Sequence, residues 1–192
     1  MHLFLRLNHK HKYMKKVVLL TVVAVLGFVK MNAQEIKFGA KAGLNFAFIN
    51  GDNSGNYDPT TDYHFGILAE IPISEKFSFQ PELLYSGQGS ETNLKYLNIP
   101  LMGKYYLTKG FSLEVGPQVG FLLSAKKGNQ NKICLFNKVD FGVNFGLGYK
   151  FDNGLNFGAR YNLGLSNIND ANGIVDKNKN GVFQLSIGYF LF

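Results

Sequence analysis

Cysteine is nearly absent: Cys134 is the only one in 192 residues. An exported form of the chain therefore has no internal disulfide, and no lipoprotein-type cysteine follows the N-terminal apolar run. Charge is scarce too, at 17% of residues, which counts against a soluble β-sandwich with charged exposed faces. No acidic residue precedes Ala33, and only one histidine, His64, follows it. Nucleophilic catalysis commonly needs a serine or cysteine beside a histidine base. Ser86 and Ser124 are the serines considered against His64, and no nucleophile motif surrounds either. The sequence therefore carries no catalytic site, and His64 reads as a residue at the rim of the fold. Cys134 has two readings, a reactive loop thiol or an incidental residue.

What is abundant is glycine and aromatic side chains: 22 Gly, 18 Phe and 10 Tyr. Low charge with this pairing fits transmembrane barrels, whose aromatics ring the membrane while small residues crowd the interior. The formal charge of +7 is misleading, because six of the 20 basic residues lie before Ala33. The rest of the chain holds 14 basic and 13 acidic residues, a net +1. The basic balance belongs to a targeting segment and leaves no nucleic-acid footprint.

That segment has the three parts of a secretory signal. Lys15 and Lys16 precede the apolar run Val17 to Val29, and Met31-Asn32-Ala33 follows it. The run is too short to span a bilayer comfortably. The expectation is a cleavable signal peptide with an N-terminal extension over 1–33, and a barrel domain over 34–192. Met31 at the −3 position leaves room for a shift by one residue, and Met14 is an alternative start.

Beyond residue 35 the period is two. Phe38, Ala40, Ala42, Leu44 and Phe46 alternate with Lys37, Gly39, Lys41, Gly43 and Asn45. Seven more runs follow the same rule, beginning near Phe65, Phe77, Leu97, Phe111, Val139, Leu155 and Phe183. Each is about ten residues or longer, the length a tilted strand needs to cross a bilayer. Three connections are tight, Ser74-Glu75-Lys76, Thr108-Lys109-Gly110 and Asp152-Asn153-Gly154. Longer polar segments, roughly 49–62, 88–93, 125–137 and 167–181, alternate with them. Short inner turns and long outer loops are the signature of bacterial outer-membrane barrels. The fold class is thus an all-β, eight-stranded antiparallel up-and-down transmembrane barrel in the outer membrane, with both termini periplasmic.

Which face meets lipid follows from charge. Hydrocarbon penalises Lys or Arg by about 2–4 kcal/mol near the midplane. The apolar face carries no charge in any strand, whereas the other carries Lys41, Glu70, Glu82, Lys104, Glu114, Asp140, Lys150 and Arg160. Enclosed in a narrow lumen, these groups are expected to pair acid with base as a structural network. Glycines fall mostly on that face, leaving room for the long side chains, Tyr106 and Met102. Phe77, Tyr105, Phe111, Tyr149, Phe151, Phe157 and Tyr189 are expected to form an aromatic girdle near the short turns. The soluble rival is a lipocalin-like barrel, which would place the apolar face inside around a ligand. Pro72, Pro81, Pro100 and Pro117 fall within strands and are expected to mark bulges or bends.

Asp176 to Gly181 matches the first half of a calcium loop, but Ile187 stands where the twelfth-position Glu belongs. It reads as a polar surface loop, as does Asp52 to Asn56, so neither metal nor cofactor is expected. Conduction as a general porin is not expected either, since about eight strands enclose little free space.

Three stretches carry a family resemblance: Phe79-Gln80-Pro81-Glu82-Leu83-Leu84-Tyr85-Ser86, Tyr96-Leu97-Asn98-Ile99-Pro100-Leu101 and Val115-Gly116-Pro117-Gln118-Val119-Gly120. In this order they resemble the Bacteroidota outer-membrane β-barrel family often described as PorT-like, from about residue 36 to the C-terminus. The resemblance implies an integral outer-membrane protein without assigned activity in most members. It also implies a second role, as an accessory of a protein-secretion or envelope-assembly system. The terminal Phe192 suits recognition by the barrel-assembly machinery, although the apolar parity of the last strand runs through Leu191, Tyr189 and Ile187.

Overall fold

The computed structural model describes residues 36–51, 59–88, 93–127, 130–131, 137–166 and 178–191. The unit Glu35–Phe192 is built on one antiparallel sheet. Its strands are β1 (Lys37–Gly51), β2 (Thr60–Pro72), β3 (Phe77–Gly87), β4 (Asn93–Tyr106), β5 (Phe111–Lys127), β6 (Gln130–Asn131), β7 (Val139–Lys150), β8 (Leu155–Gly164) and β9 (Asn178–Phe190). Each long strand pairs with its neighbours in the chain, and β1 with β9, so eight strands close a ring. The two-residue β6 lies outside that ring, against the end of β5. Closure gives every wall strand a neighbour on both sides and removes the sheet edge.

The alternation read from the sequence sets the two faces. Phe38, Leu44, Phe65, Ile67, Leu101, Val115, Phe141, Phe145, Leu163 and Ile187 stand outward and exposed, while Lys41, Asn45, Glu70, Glu82, Lys104 and Arg160 are buried inside. The lipocalin-like arrangement is therefore inverted, with the large apolar side chains on the outer wall. The seven aromatics expected near the short turns all face outward, and Phe151 makes edge contacts with both Tyr149 and Phe157. A second outward group, Tyr63, Phe65 and Tyr85, stacks nearer the other end.

Short turns occupy 73–76, 107–110 and 151–154. The first strand starts and the last strand ends at that same rim, where Leu191 donates to the Phe38 carbonyl. In the third turn Gly154 N–H donates to the Phe151 carbonyl at 3.1 Å, with Gly154 at φ +90°. A side chain is strained in that left-handed conformation, and a Cβ there would meet the Phe190 carbonyl at 2.7 Å. Gly154→Ala is expected to lower stability by roughly 1–2 kcal/mol, read as a lower urea midpoint for the barrel in lipid vesicles.

Several expectations are corrected. The prolines produce no bulge: β3, β4 and β5 keep one register through Pro81, Pro100 and Pro117. Each proline instead interrupts the pairing on one side, toward the preceding strand, where its missing N–H would have donated. The register shift that does occur lies between Lys95 and Tyr96, where Leu123 of β5 is the extra residue. This bulge turns Ala125 inward, opposite Leu94.

The long connections are also shorter than expected, because the strands run into them. Asn178 to Gly181 is paired strand against Gly51 to Phe48 rather than surface loop. The ladder continues there because its backbone groups find partners in β1 regardless of side-chain polarity. The signal segment 1–33, Asp52 to Asn56, Cys134, Asp176, Lys177 and Phe192 lie outside the described residues.

Candidate functional site

Inside the barrel, seven strands contribute one charged side chain each to an alternating chain. Lys41 (β1) contacts Glu82 (β3) at 2.9 Å. Arg160 (β8) binds Glu82 with both terminal nitrogens and reaches Glu114 (β5), all at 2.9 Å. Lys104 (β4) lies 3.3 Å from Glu114 and 3.7 Å from Glu70 (β2). Lys150 (β7) ends the chain on Glu70 at 2.7 Å. The order is Lys41, Glu82, Arg160, Glu114, Lys104, Glu70, Lys150, strictly alternating in sign.

Register explains why these groups meet. Lys104 and Glu114 are direct cross-strand partners. Arg160 and Glu114 are both paired with Gly146, so the bare backbone of β7 lies between them and the guanidinium passes over it. Uncharged partners add to the hydrogen bonding, with Gln80 donating to Glu82 at 2.6 Å and Tyr106 donating to Glu70 at 2.7 Å. Lys104 and Lys150 also lie over the Tyr106 ring. A fork of charge-assisted bonds in a desolvated space is strong and directional, so the lumen side chains are locked together.

Asp140 does not join that chain. It accepts from Asn180 at 2.9 Å, and none of the described basic side chains contacts it. A belt of amides, Gln118, Asn144 and Asn162, lies inside the same part of the wall. Toward the end with the long connections, Leu94, Tyr96, Leu122 and Ala125 pack together in an apolar cluster. Leu94, Tyr96 and Leu122 follow the alternation of their strands, whereas Ala125 joins them only through the bulge at Lys95/Tyr96. An ion pair between Lys95 and Asp62 at 2.6 Å sits near that end.

His64 is not at a rim; it is buried in the lumen. Its Nδ1 lies 2.7 Å from Asn45 Oδ1 and its Nε2 3.0 Å from Ser186 Oγ. Asn45 gives its own amide hydrogens to Ser86 and the Gly87 carbonyl, so its Oδ1 accepts from Nδ1–H. Nε2 then carries the lone pair facing the Ser186 hydroxyl. Ser186 was missed at the sequence level because it lies 122 residues away and meets His64 only through closure of β9 onto β1. The order Ser–His–Asn resembles a nucleophile, base and orienting group. The cavity beside Ser186, lined also by Lys41, Lys104, Glu114 and Arg160, measures about 20 Å³. That is room for one water.

No curated protein matches the chain in sequence. Among solved structures it is similar to Neisserial surface protein A, with 14% identity, a TM-score of 0.51, and coverage of 81% of this chain and 99% of that one. It is similar likewise to Ail, the attachment invasion locus protein of Yersinia pestis, with 13% identity, a TM-score of 0.51, and coverage of 82% and 100%. Identities this low speak to the fold alone, and both partners are matched along essentially their whole length. The family model described as outer membrane protein beta-barrel domain matches residues 32–170, a span holding seven of the eight wall strands. With its closed wall, outward apolar face and charge-filled lumen, the chain belongs to that outer-membrane β-barrel family.

Proposed function

We propose that this barrel is a structural and surface-recognition protein, acting through its long connections and performing no catalysis. The observation that carries the reading is the division of the molecule into a filled stem and one loop-bearing end. The stem is packed by the charge chain, the amide belt and the apolar layer, so nothing sizeable moves through it. The connections after Gly51, Gln88, Lys127 and Ser166 all leave the same end of the ring. Their sequences are rich in Asn, Gly and Asp, residues suited to variable surface turns. A barrel of the same fold, Ail, has been crystallised with the heparin analogue sucrose octasulfate, so a wall of this kind can carry ligand recognition. Residues 1–33 act in this reading as the export signal, both termini face the periplasm, and the barrel-assembly machinery inserts the chain.

A pull-down from detergent-solubilised envelope tests it, with mass spectrometry of bound proteins and lipids. Replacing residues 52–58 and 167–177 by Gly-Ser of equal length is expected to leave insertion intact and remove the recovered partners. An unchanged set of partners after all four connections are replaced would count against the reading. The second role, an accessory of secretion or envelope assembly of the PorT-like kind, rests on the P-E-L-L-Y, Y-L-N-I-P and G-P-Q-x-G stretches. It is favoured if secretion components are recovered whether or not the connections are replaced.

A further inference from the structure

We infer that a furrow in the lipid-facing wall, centred on Ala40 and Ala42 of β1, holds one phospholipid acyl chain as a resident ligand. The outward residues of β1 are large at Phe38 and Leu44 but small between them, at Ala40 and Ala42. In register, Ala40 lies between Tyr189 of β9 and Ile67 of β2, and Ala42 between Ile187 and Phe65. Four bulky side chains thus bank two methyl groups at the centre of an open hollow of about 760 Å³, which runs across the strands from Leu97 of β4 to Leu155 of β8.

The occupant follows from where the hollow lies. It is continuous with the apolar band that meets hydrocarbon, and its side-chain walls are aliphatic and aromatic. Burial from water supplies no driving force there, because lipid tails are as apolar as leucine; contact area decides instead. A chain on a convex part of the wall touches protein on one side, whereas a chain in the furrow is touched on three, and dispersion accumulates with each contact. A second copy of the barrel is convex and rigid, so it would rest on the banks and leave the floor unfilled. The furrow lies toward the rim with the short turns, since β1 begins at Lys37 and Phe38 pairs with Ala69 just before the first turn. With both termini periplasmic, an orientation taken from the proposed function, that rim faces the phospholipid leaflet.

The test is native mass spectrometry of the barrel released from membranes in mild detergent. Wild type is expected to retain one phospholipid per barrel. Ala40→Leu/Ala42→Leu, which fills the furrow, is expected to retain at least tenfold less. Ala159→Leu places the same bulk on β8, between Leu147 and Leu185 of the same outward face, and is expected to behave as wild type. Heat-modifiable migration on gels confirms that each variant folds, and Ala42→Leu alone serves if the double variant does not. Equal retention in the furrow variants overturns the proposal, as does a wild-type dimer that the filled variant converts to monomer. Replacing the long connections is expected to leave retention unchanged, so failure of the surface-recognition reading and failure of the furrow are separable.

Discussion

Arginine placed along the outward face of β7 is expected to destabilise the barrel in a depth-dependent way. Phe141, Phe145 and Tyr149 all stand exposed on that face, from the loop-bearing end to the turn-bearing end. Phe145→Arg is expected to cost about 2–4 kcal/mol, and Phe141→Arg and Tyr149→Arg roughly 0–1 kcal/mol, because the penalty falls toward either interface. Equilibrium unfolding from lipid vesicles measures all three. The cause is the medium: a guanidinium at the midplane must give up water or drag it into hydrocarbon, whereas near a rim it reaches headgroups. On the surface of a water-soluble protein the same three substitutions would cost little and show no maximum. A flat profile near zero would therefore remove the membrane from the explanation of this wall.

Glu82→Ala is expected to be the most damaging change inside the lumen, at about 3–5 kcal/mol. Its carboxylate is fully buried and is the contact of Lys41, while both terminal nitrogens of Arg160 and the Gln80 amide also bind it. Truncation leaves Lys41 with no carboxylate in contact among the described residues and removes two of the three carboxylate bonds of Arg160, while the desolvation of both cations remains. Removing both ends of one pair leaves fewer uncompensated charges. Glu82→Leu/Lys41→Met is therefore expected to be less unstable than the sum of the two single variants, with a coupling of about 0.5–3 kcal/mol. Urea titration of the four proteins in vesicles supplies the comparison. A Glu82→Ala variant within about 1 kcal/mol of wild type would show the chain to be as weak as a surface ion pair.

These two expectations concern opposite faces of one wall, and they divide by what periodicity can reveal. Strand number, direction and facing were legible because side chains alternate with a period of two and hydrocarbon tolerates no charge. Phe145 out and Asn144 in is a local statement, readable along a single strand. The alternation of tight turns with long connections likewise gave the up-and-down order. The same reasoning placed all eight charged residues on one face, since any of them turned outward would have met lipid.

Which of those charges meet was not local. Arg160 and Glu114 lie 46 residues apart and Arg160 and Glu82 lie 78 apart; only ring closure and the stagger of the strands bring them together. The same stagger leaves Asp140 with an amide for a partner and buries His64 beside Ser186. The bulge at Lys95/Tyr96 reverses the inward parity of β5 for its last residues, so the place of Ala125 against Leu94, Tyr96 and Leu122 came from tertiary pairing. The prolines show the same limit, since a missing donor forces a gap in one ladder while neighbouring pairs decide whether register shifts. By itself the sequence determined a closed wall with a lipid side and a charged side, because each residue answers to its own medium. Tertiary structure alone decided the partners within the lumen and the furrow across β1, because both depend on register between strands distant in the chain.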